Sequence, residues 1–357
     1  MKKHTVLITG AAGYVGGMLV QKFALRDDVE RIIGLDKELV SDLIAHEPKL
    51  TYIQANTSDG SWQEQVRSYA PDIVIHAAWQ IRMLYGNDAT TWKWNVDGSR
   101  AVFSFAFDEQ VSRIVHFSTA AVYGAFPENT FEHRFSEDES SREREYLYGV
   151  EKIEAERILQ ELMTEHKGAT LCAVLRPAAI TGPRGRFMRI RFGLQAALSG
   201  QLKGGIYSII SALVSWVPAT KGWVRQFIHE DDIVAIVEKL AFDTWKGGSY
   251  EVYNATPNGT PVYAPDMARA VGKRTLPVLP WMVQLAYFFF WHVTRGKIPT
   301  APGSWRFYSY PIVMSGEKLL KVLGYTCAHE SYEAFYYTDG TYESFVPGEA
   351  KRSRGRV

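Results

Sequence analysis

The sequence predicts an α/β fold, a doubly wound parallel sheet with a smaller mixed C-terminal lobe. Short β-rich runs alternate with helical stretches through the first half. Alternation of that kind builds right-handed βαβ units around a parallel sheet. Several of the runs are almost continuously apolar, as strands covered on both faces are. A glycine-rich turn, Gly10-Ala11-Ala12-Gly13-Tyr14-Val15-Gly16, joins the first run to the first helical stretch.

Taken in order, the strand candidates are residues 5–9, 31–36, 50–55, 72–76, 113–118 and 169–176. Helical patterns between them include 14–25, 91–107 and 148–163. The character changes after Gly182-Pro183. A basic stretch at 184–191 comes first, then apolar stretches at 206–217 and 279–293, with a strand at 250–254 and a helix at 231–242 between those two. This divides the chain into a nucleotide-binding domain, 1–182 with 220–256 returning to it, and a substrate lobe, 183–219 and 257–345. A basic tail at 346–357 is expected to be disordered and solvated, with weak contact to an anionic surface as the alternative.

Composition narrows the function. The 357 residues carry a net charge of +1, so nothing draws the chain as a whole to nucleic acid or to acidic membranes. Cys172 and Cys327 are far apart and lack partners at metal spacing, which argues against a disulfide framework or a metal site. Cys172 lies in an apolar run and reads as a buried core thiol. The first apolar run is too short for a signal-peptide core, so a cytoplasmic protein is expected.

The glycine turn has a definite chemistry. Gly10 permits the sharp turn, Gly13 lets backbone approach a pyrophosphate, and Gly16 lets the helix pack on the strand. The pyrophosphate then meets free N–H groups at the helix start. Asp36 ends the second strand about 20 residues on, where the dinucleotide fingerprint requires an acid. Its carboxylate accepts from the ribose hydroxyls and repels a 2′-phosphate. A Rossmann-type domain binding NAD rather than NADP is expected, with Lys37 beside the acid working against that preference.

Tyr148 and Lys152 are one helical turn apart and share a face. An ammonium beside a phenol lowers its pKa, and the phenolate can take a proton from a substrate hydroxyl as hydride leaves the carbon. Tyr146 is the rival, but four residues beyond it stands Val150. Ser118 and Thr119 lie at the C-terminal end of the fifth strand, where either hydroxyl could orient the substrate oxygen or cap the strand.

These motifs resemble the extended short-chain dehydrogenase/reductase family, the NAD-dependent epimerase/dehydratase group. The resemblance covers residues 4–255. It rests on Thr9–Gly16, Asp36, His76-Ala77-Ala78, Asn95-Val96-Asp97-Gly98-Ser99, Ser118–Gly124, Tyr148–Lys152, Leu175-Arg176-Pro177 and Arg225–Asp232. It implies Tyr148 as base, Lys152 as its partner and Thr119 as the catalytic hydroxyl, with Ser118 still open. It implies that Tyr14, Val15, Asn56, Thr57, Ala77, Ala78, Asn95, Lys152 and Pro177 join Gly10, Gly13, Gly16 and Asp36 around NAD. Asn95 would hold the active-site helix or a water. Homodimerisation through the 91–107 and 148–163 helices is also implied.

Two features bear on the substrate and disagree. Members acting on nucleotide sugars usually carry an Asn where this chain has Ala179. Arg184, Arg186, Arg189, Arg191 and Arg225 nevertheless suit a diphosphate, or else form a solvated basic face. Trp79, Tyr123, Ala179, Arg186 and Arg225 are the candidate substrate contacts. The 279–293 stretch is apolar all round. It is expected to pack internally or in a dimer, to line a greasy tunnel, or to dock on a membrane surface. A sugar-nucleotide epimerase is the leading expectation, a 3β-hydroxysteroid or lipid alcohol dehydrogenase the second, and a non-catalytic NAD-binding sensor the third. Ala120-Ala121 stands where dehydratases of the family carry an Asp-Glu pair, which disfavours dehydration.

Overall fold

The computed structural model describes residues 3–166, 169–188 and 216–354. Seven strands form one parallel sheet: β1 (His4–Thr9), β2 (Val29–Asp36), β3 (Leu50–Gln54), β4 (Ile73–His76), β5 (Arg113–Phe117), β6 (Leu171–Pro177) and, late in the chain, Tyr250–Ala255. The last of these pairs with β6 at the sheet edge, Tyr250 opposite Cys172. Residues 250–255 therefore do return to the first half of the chain. β1 pairs with β2 on one side and β4 on the other. The strand order reverses there, which opens a crevice beyond the C-terminal strand ends.

Every side chain of β4 is buried, and Val6, Leu7 and Ile8 of β1 are fully so. Helix α1 (Tyr14–Ala24) covers one face with Met18, Leu19, Val20 and Phe23. Two packed layers thus enclose the sheet, and each large apolar side chain buried contributes about 1.5–3 kcal/mol. Cys172 lies in this core, and burial pushes its thiol up to about 12.

The segment expected as one helix at 91–107 is three. α2 (Gln63–Arg67) precedes it; then come α3 (Asp88–Trp92), a π-helical turn at Lys93–Asp97, and α4 (Gly98–Asp108). α5 (Leu147–His166) packs on α4. The Glu143 carboxylate starts α5 by accepting from the backbone N–H groups of Arg144, Glu145 and Tyr146.

The second half builds small pairings. β7 (Ala179–Thr181) runs parallel to Phe227–His229, and Trp216–Ala219 runs parallel to Arg274–Pro277. Expectations at 189–215, including Arg189, Arg191 and most of the 206–217 stretch, lie outside the described residues.

The tail departs from expectation. Arg352 accepts from Thr338 N–H at its carbonyl, donates its own N–H to Thr338 Oγ1, and donates its guanidinium to the Ala270 carbonyl. Arg354 pairs with Glu333 and donates to the Ala328 carbonyl. Guanidinium forks satisfy several acceptors at once, so residues that read as solvated basic surface are tied down here. The helix Pro280–Val293 departs from the internal-packing reading, since Trp291 is its one buried side chain.

Candidate active site

A cleft of about 1230 Å³ opens at the switch point, lined by Gly10, Gly13, Tyr14, Val15, Gly16, Asp36, Asn56, Thr57, Ala77, Ala78, Pro177, Ala179 and Arg225. Thr119, Tyr148 and Trp79 line it as well. The sheet topology therefore brings together residues 215 positions apart in sequence, from Gly10 to Arg225 (225 − 10).

The glycine turn fits a pyrophosphate. Gly10 has φ +74°, and a Cβ there would lie 2.7 Å from the Ala78 nitrogen. A Cβ on Gly16 would collide with the Gly10 carbonyl. No side chain caps the start of α1 and no acid sits in its first turn, so its N–H groups are left for an anion. The Tyr14 hydroxyl donates to Glu230, which also accepts from the Arg184 and Gly185 backbone.

Asp36 is set by its own backbone. It accepts from Ala12 N–H at 3.1 Å and Glu38 N–H at 3.0 Å. Burial raises its carboxyl, and those two bonds work against the rise. Lys37 turns to Gln80 Oε1 at 3.0 Å and to the Trp94 ring at 4.0 Å, which draws it away from the acid. These residues fit NAD: Asp36 would hold the ribose, the α1 end the pyrophosphate. Asp36→Asn removes the charge that repels a 2′-phosphate. NADP affinity relative to NAD should rise by roughly tenfold, measured by fluorescence titration of both cofactors.

Asn95 lines the cleft with the other residues expected around NAD. Its amide is committed at both ends: Oδ1 accepts from Gln80 N–H at 2.7 Å, and Nδ2 donates to the Gln80 carbonyl and to Glu151 Oε2 at 2.7 Å. It ties the loop after β4 to α5, which is one of the two alternatives the family resemblance left open. Its π-helical turn aims the amide that way.

Glu151 is buried, and its other oxygen has no partner. Desolvation pushes the carboxyl from 4.5 up to about 7, against the Asn95 bond and Lys152. A raised acid favours folding while protonated, so this contribution is complete below pH 4.5 and lost as pH rises through about 7. Glu151→Gln should flatten the stability profile across that window, measured as urea midpoints from pH 4.5 to 7.5.

The chemical group sits between β5 and α5. Thr119 accepts from Ala121 N–H at 3.2 Å and lines the cleft together with Tyr148. Ser118 is removed from contention because its buried hydroxyl donates to Glu156. Lys152 is buried, donates to the Phe117 carbonyl, and lies 3.4 Å from the Trp79 ring centroid. Burial raises the Tyr148 phenol, and the Thr119 side chain works against the rise. Burial also holds Lys152 well below its ordinary value, against Glu156 and Glu151. His76, bonded to Thr9 and Ser99, is held at about 3 by burial and by Lys152, so it is neutral.

Two expected substrate contacts lie elsewhere. Tyr123 is fully buried; its hydroxyl donates to Asn254 Oδ1 at 2.8 Å and accepts from Arg176 at 3.0 Å. Arg186 gives its guanidinium to the Phe335, Tyr336 and Tyr337 carbonyls, and Arg184 is buried against Gln21 and Tyr342. Both arginines are structural because chain carbonyls and hydroxyls meet their donors first. Arg225 faces the cleft, 5.0 Å from the Tyr308 ring centroid. Sequence reasoning missed the cleft wall made by Trp223, Trp291, Phe307, Tyr308 and Met314, since no motif spacing marks them.

Fold and cleft together define an NAD-binding enzyme of the extended short-chain dehydrogenase/reductase class. The chain belongs to the NAD dependent epimerase/dehydratase family, whose model matches residues 6–256. An uncharacterised Mycobacterium tuberculosis protein is 26% identical over 278 residues, covering 76% of this chain and 67% of that one. Escherichia coli O157:H7 N-acetyl-alpha-D-glucosaminyl-diphospho-ditrans,octacis-undecaprenol 4-epimerase is 26% identical over 249 residues, covering 70% of this chain and 66% of that one. The crystal structure of Bordetella bronchiseptica WbmG in complex with NAD and UDP is similar in fold. Its TM-score is 0.68 at 20% identity, over 94% of this chain and 92% of that one.

Proposed function

We propose that the enzyme epimerises a secondary carbinol on a sugar held by its diphosphate, with Thr119, Tyr148 and Lys152 as the catalytic group. The observation that carries this is Arg225. It lines the same cleft as the glycine turn and the Thr119–Tyr148 pair, and no ion pair claims it among the described residues. A guanidinium fork matches a diphosphate. The group esterified beyond the diphosphate is a nucleoside in the UDP-bound structure and a polyprenol in the E. coli relative's name. Residues 183–219 and 257–345 are read as the lobe that holds this end of the substrate. The same reading includes a homodimer through α4 and α5, checked by sedimentation equilibrium.

NAD, which Gly10, Gly13, Gly16 and Asp36 would hold, would supply the acceptor for the carbinol hydride. Thr119 orients the substrate oxygen. Tyr148 takes the hydroxyl proton and gives it back after the ketone turns its other face, so epimerisation consumes no NAD. Lys152, whose charged form Glu156 and Glu151 favour against burial, is assigned the positive charge that a buried phenolate requires. Ala179, where an Asn would reach the diphosphate, leaves that task to Arg225.

The test is calorimetric titration of UDP into NAD-saturated protein. Micromolar binding is expected. Arg225→Ala should weaken it by roughly 10–100-fold, the worth of a charged hydrogen bond. Absence of UDP binding together with oxidation of a hydroxysteroid would favour the dehydrogenase reading. The aromatic wall of Trp223, Phe307 and Tyr308 suits that second reading.

A further inference from the structure

We propose that the helix Pro280–Val293 and the strand edge beside it dock the enzyme on the surface of an anionic lipid bilayer. The helix has 14 residues and no Asp, Glu, Lys or Arg. Trp281, Leu285, Phe288, Phe289 and Val293 are each 57–65% exposed. The patch continues through Leu279 and Leu276 to Trp216, which lies opposite Arg274 where the two edge strands pair. Scattered exposed apolar residues are ordinary, but a contiguous face of this kind marks an interaction surface.

Charge identifies the occupant. The whole chain is balanced, with 40 Lys and Arg against 39 Asp and Glu. Residues 267–316 contain no acid; of their six cations Arg269 pairs with Asp266 and Arg306 with Glu145, while Lys273, Arg274, Arg295 and Lys297 have no ion pair among the described residues. Arg274 precedes the helix, Arg295 and Lys297 follow it, and all three are exposed. A second copy seated on this face by two-fold symmetry would bring the same cations together with no acids to meet them. Anionic headgroups do meet them, while Trp and Phe side chains enter the boundary below. At 1.5 Å per residue the helix is too short to cross a bilayer, and no helix among the described residues is long and apolar enough to do so. It lies in the interface.

The cleft opens at the same place. Trp291, the buried member of the helix, lines it, as do Val217 beside Trp216 and the exposed Val271. Docking sets the cleft mouth at the headgroup layer, whatever sugar the cleft accepts.

The experiment is flotation of the full chain, without detergent, with vesicles of equal parts phosphatidylglycerol and phosphatidylcholine. Wild-type protein should float with them and be released by salt. The variant carrying Phe288→Glu and Phe289→Glu should lose flotation by about tenfold or more. Neither residue lines the cleft, so NAD binding and the melting temperature should be unchanged. A second measurement uses only conservative change. Brominated lipid should quench fluorescence in wild-type protein and quench it less in Trp281→Phe. Wild-type protein that stays with the soluble fraction overturns the proposal, as does a variant that floats equally well. So does a dimer that the glutamates disperse without any flotation. None of these readings uses turnover, so failure of the substrate assignment leaves the docking result legible.

Discussion

Tyr148→Phe removes turnover while leaving NAD binding nearly intact. The change deletes one hydroxyl at the cleft wall and leaves the ring in place against Trp79, 6.5 Å away between centroids. Positioned proton transfer is worth roughly 10²–10⁴-fold, and turnover should fall by that factor. The measurement is the rate of substrate interconversion with NAD present, beside a fluorescence titration of NAD. Full activity in the variant would sink the assignment of Tyr148 as base. Loss of NAD affinity in step with activity would instead mean that the ring, not the hydroxyl, matters. The phenol is raised by burial, so activity in the wild type should increase with pH until the phenolate forms. On the proposed roles, Lys152→Met should move that rise to higher pH, because it removes the cation assigned to the phenolate.

Glu156→Ala should destabilise the fold by about 3–5 kcal/mol, the cost of stranding a buried charge. Glu156 projects from α5 to the Arg176 guanidinium on β6, with contacts at 2.6 and 3.1 Å. Both side chains are less than a tenth exposed. Burial alone would lower Arg176, and the Glu156 bond outweighs it, so the guanidinium stays charged. Removing the carboxylate leaves that charge in the core and frees the Ser118 hydroxyl that donates to it. Urea unfolding measures the loss. The double variant Glu156→Leu with Arg176→Met should recover much of it, since it removes both charges and keeps the volume. If Glu156→Ala alone unfolds within 1 kcal/mol of wild type, at about the scale of a surface pair, the network is not holding α5 to the sheet.

Much of this protein is legible from local pattern. The six early strands, the Glu230–Phe242 helix and the Pro280–Val293 helix fall within a few residues of their expected places. Apolar periodicity and turn residues act over a few positions, and these elements depend on little else. The glycine turn and Asp36 were equally readable, because a pyrophosphate and a ribose demand particular backbone and charge at a fixed separation. Tyr148 and Lys152 stood out by their spacing on one helix, and the strand end offered Ser118 and Thr119 as alternatives.

Tertiary structure decided everything that depended on which partner a polar group meets first. Ser118 and Thr119 are neighbours with the same chemistry, and only the position of Glu156 takes Ser118 out of the cleft. Arg184, Arg186 and Arg225 read alike as residues, yet two are consumed by carbonyls and hydroxyls and the third faces the cleft. Asn95 lines the cleft, and only the fold shows that Gln80 and Glu151 lie on either side of its amide and make it a tie to α5. Hydrogen bonds are short-ranged and directional, so their choice of partner is set by the packed fold and leaves no periodic trace in the chain. Hydrophobic patterning and backbone geometry are local and do leave one, which is why strands, helices and the phosphate turn could be read before the fold was known.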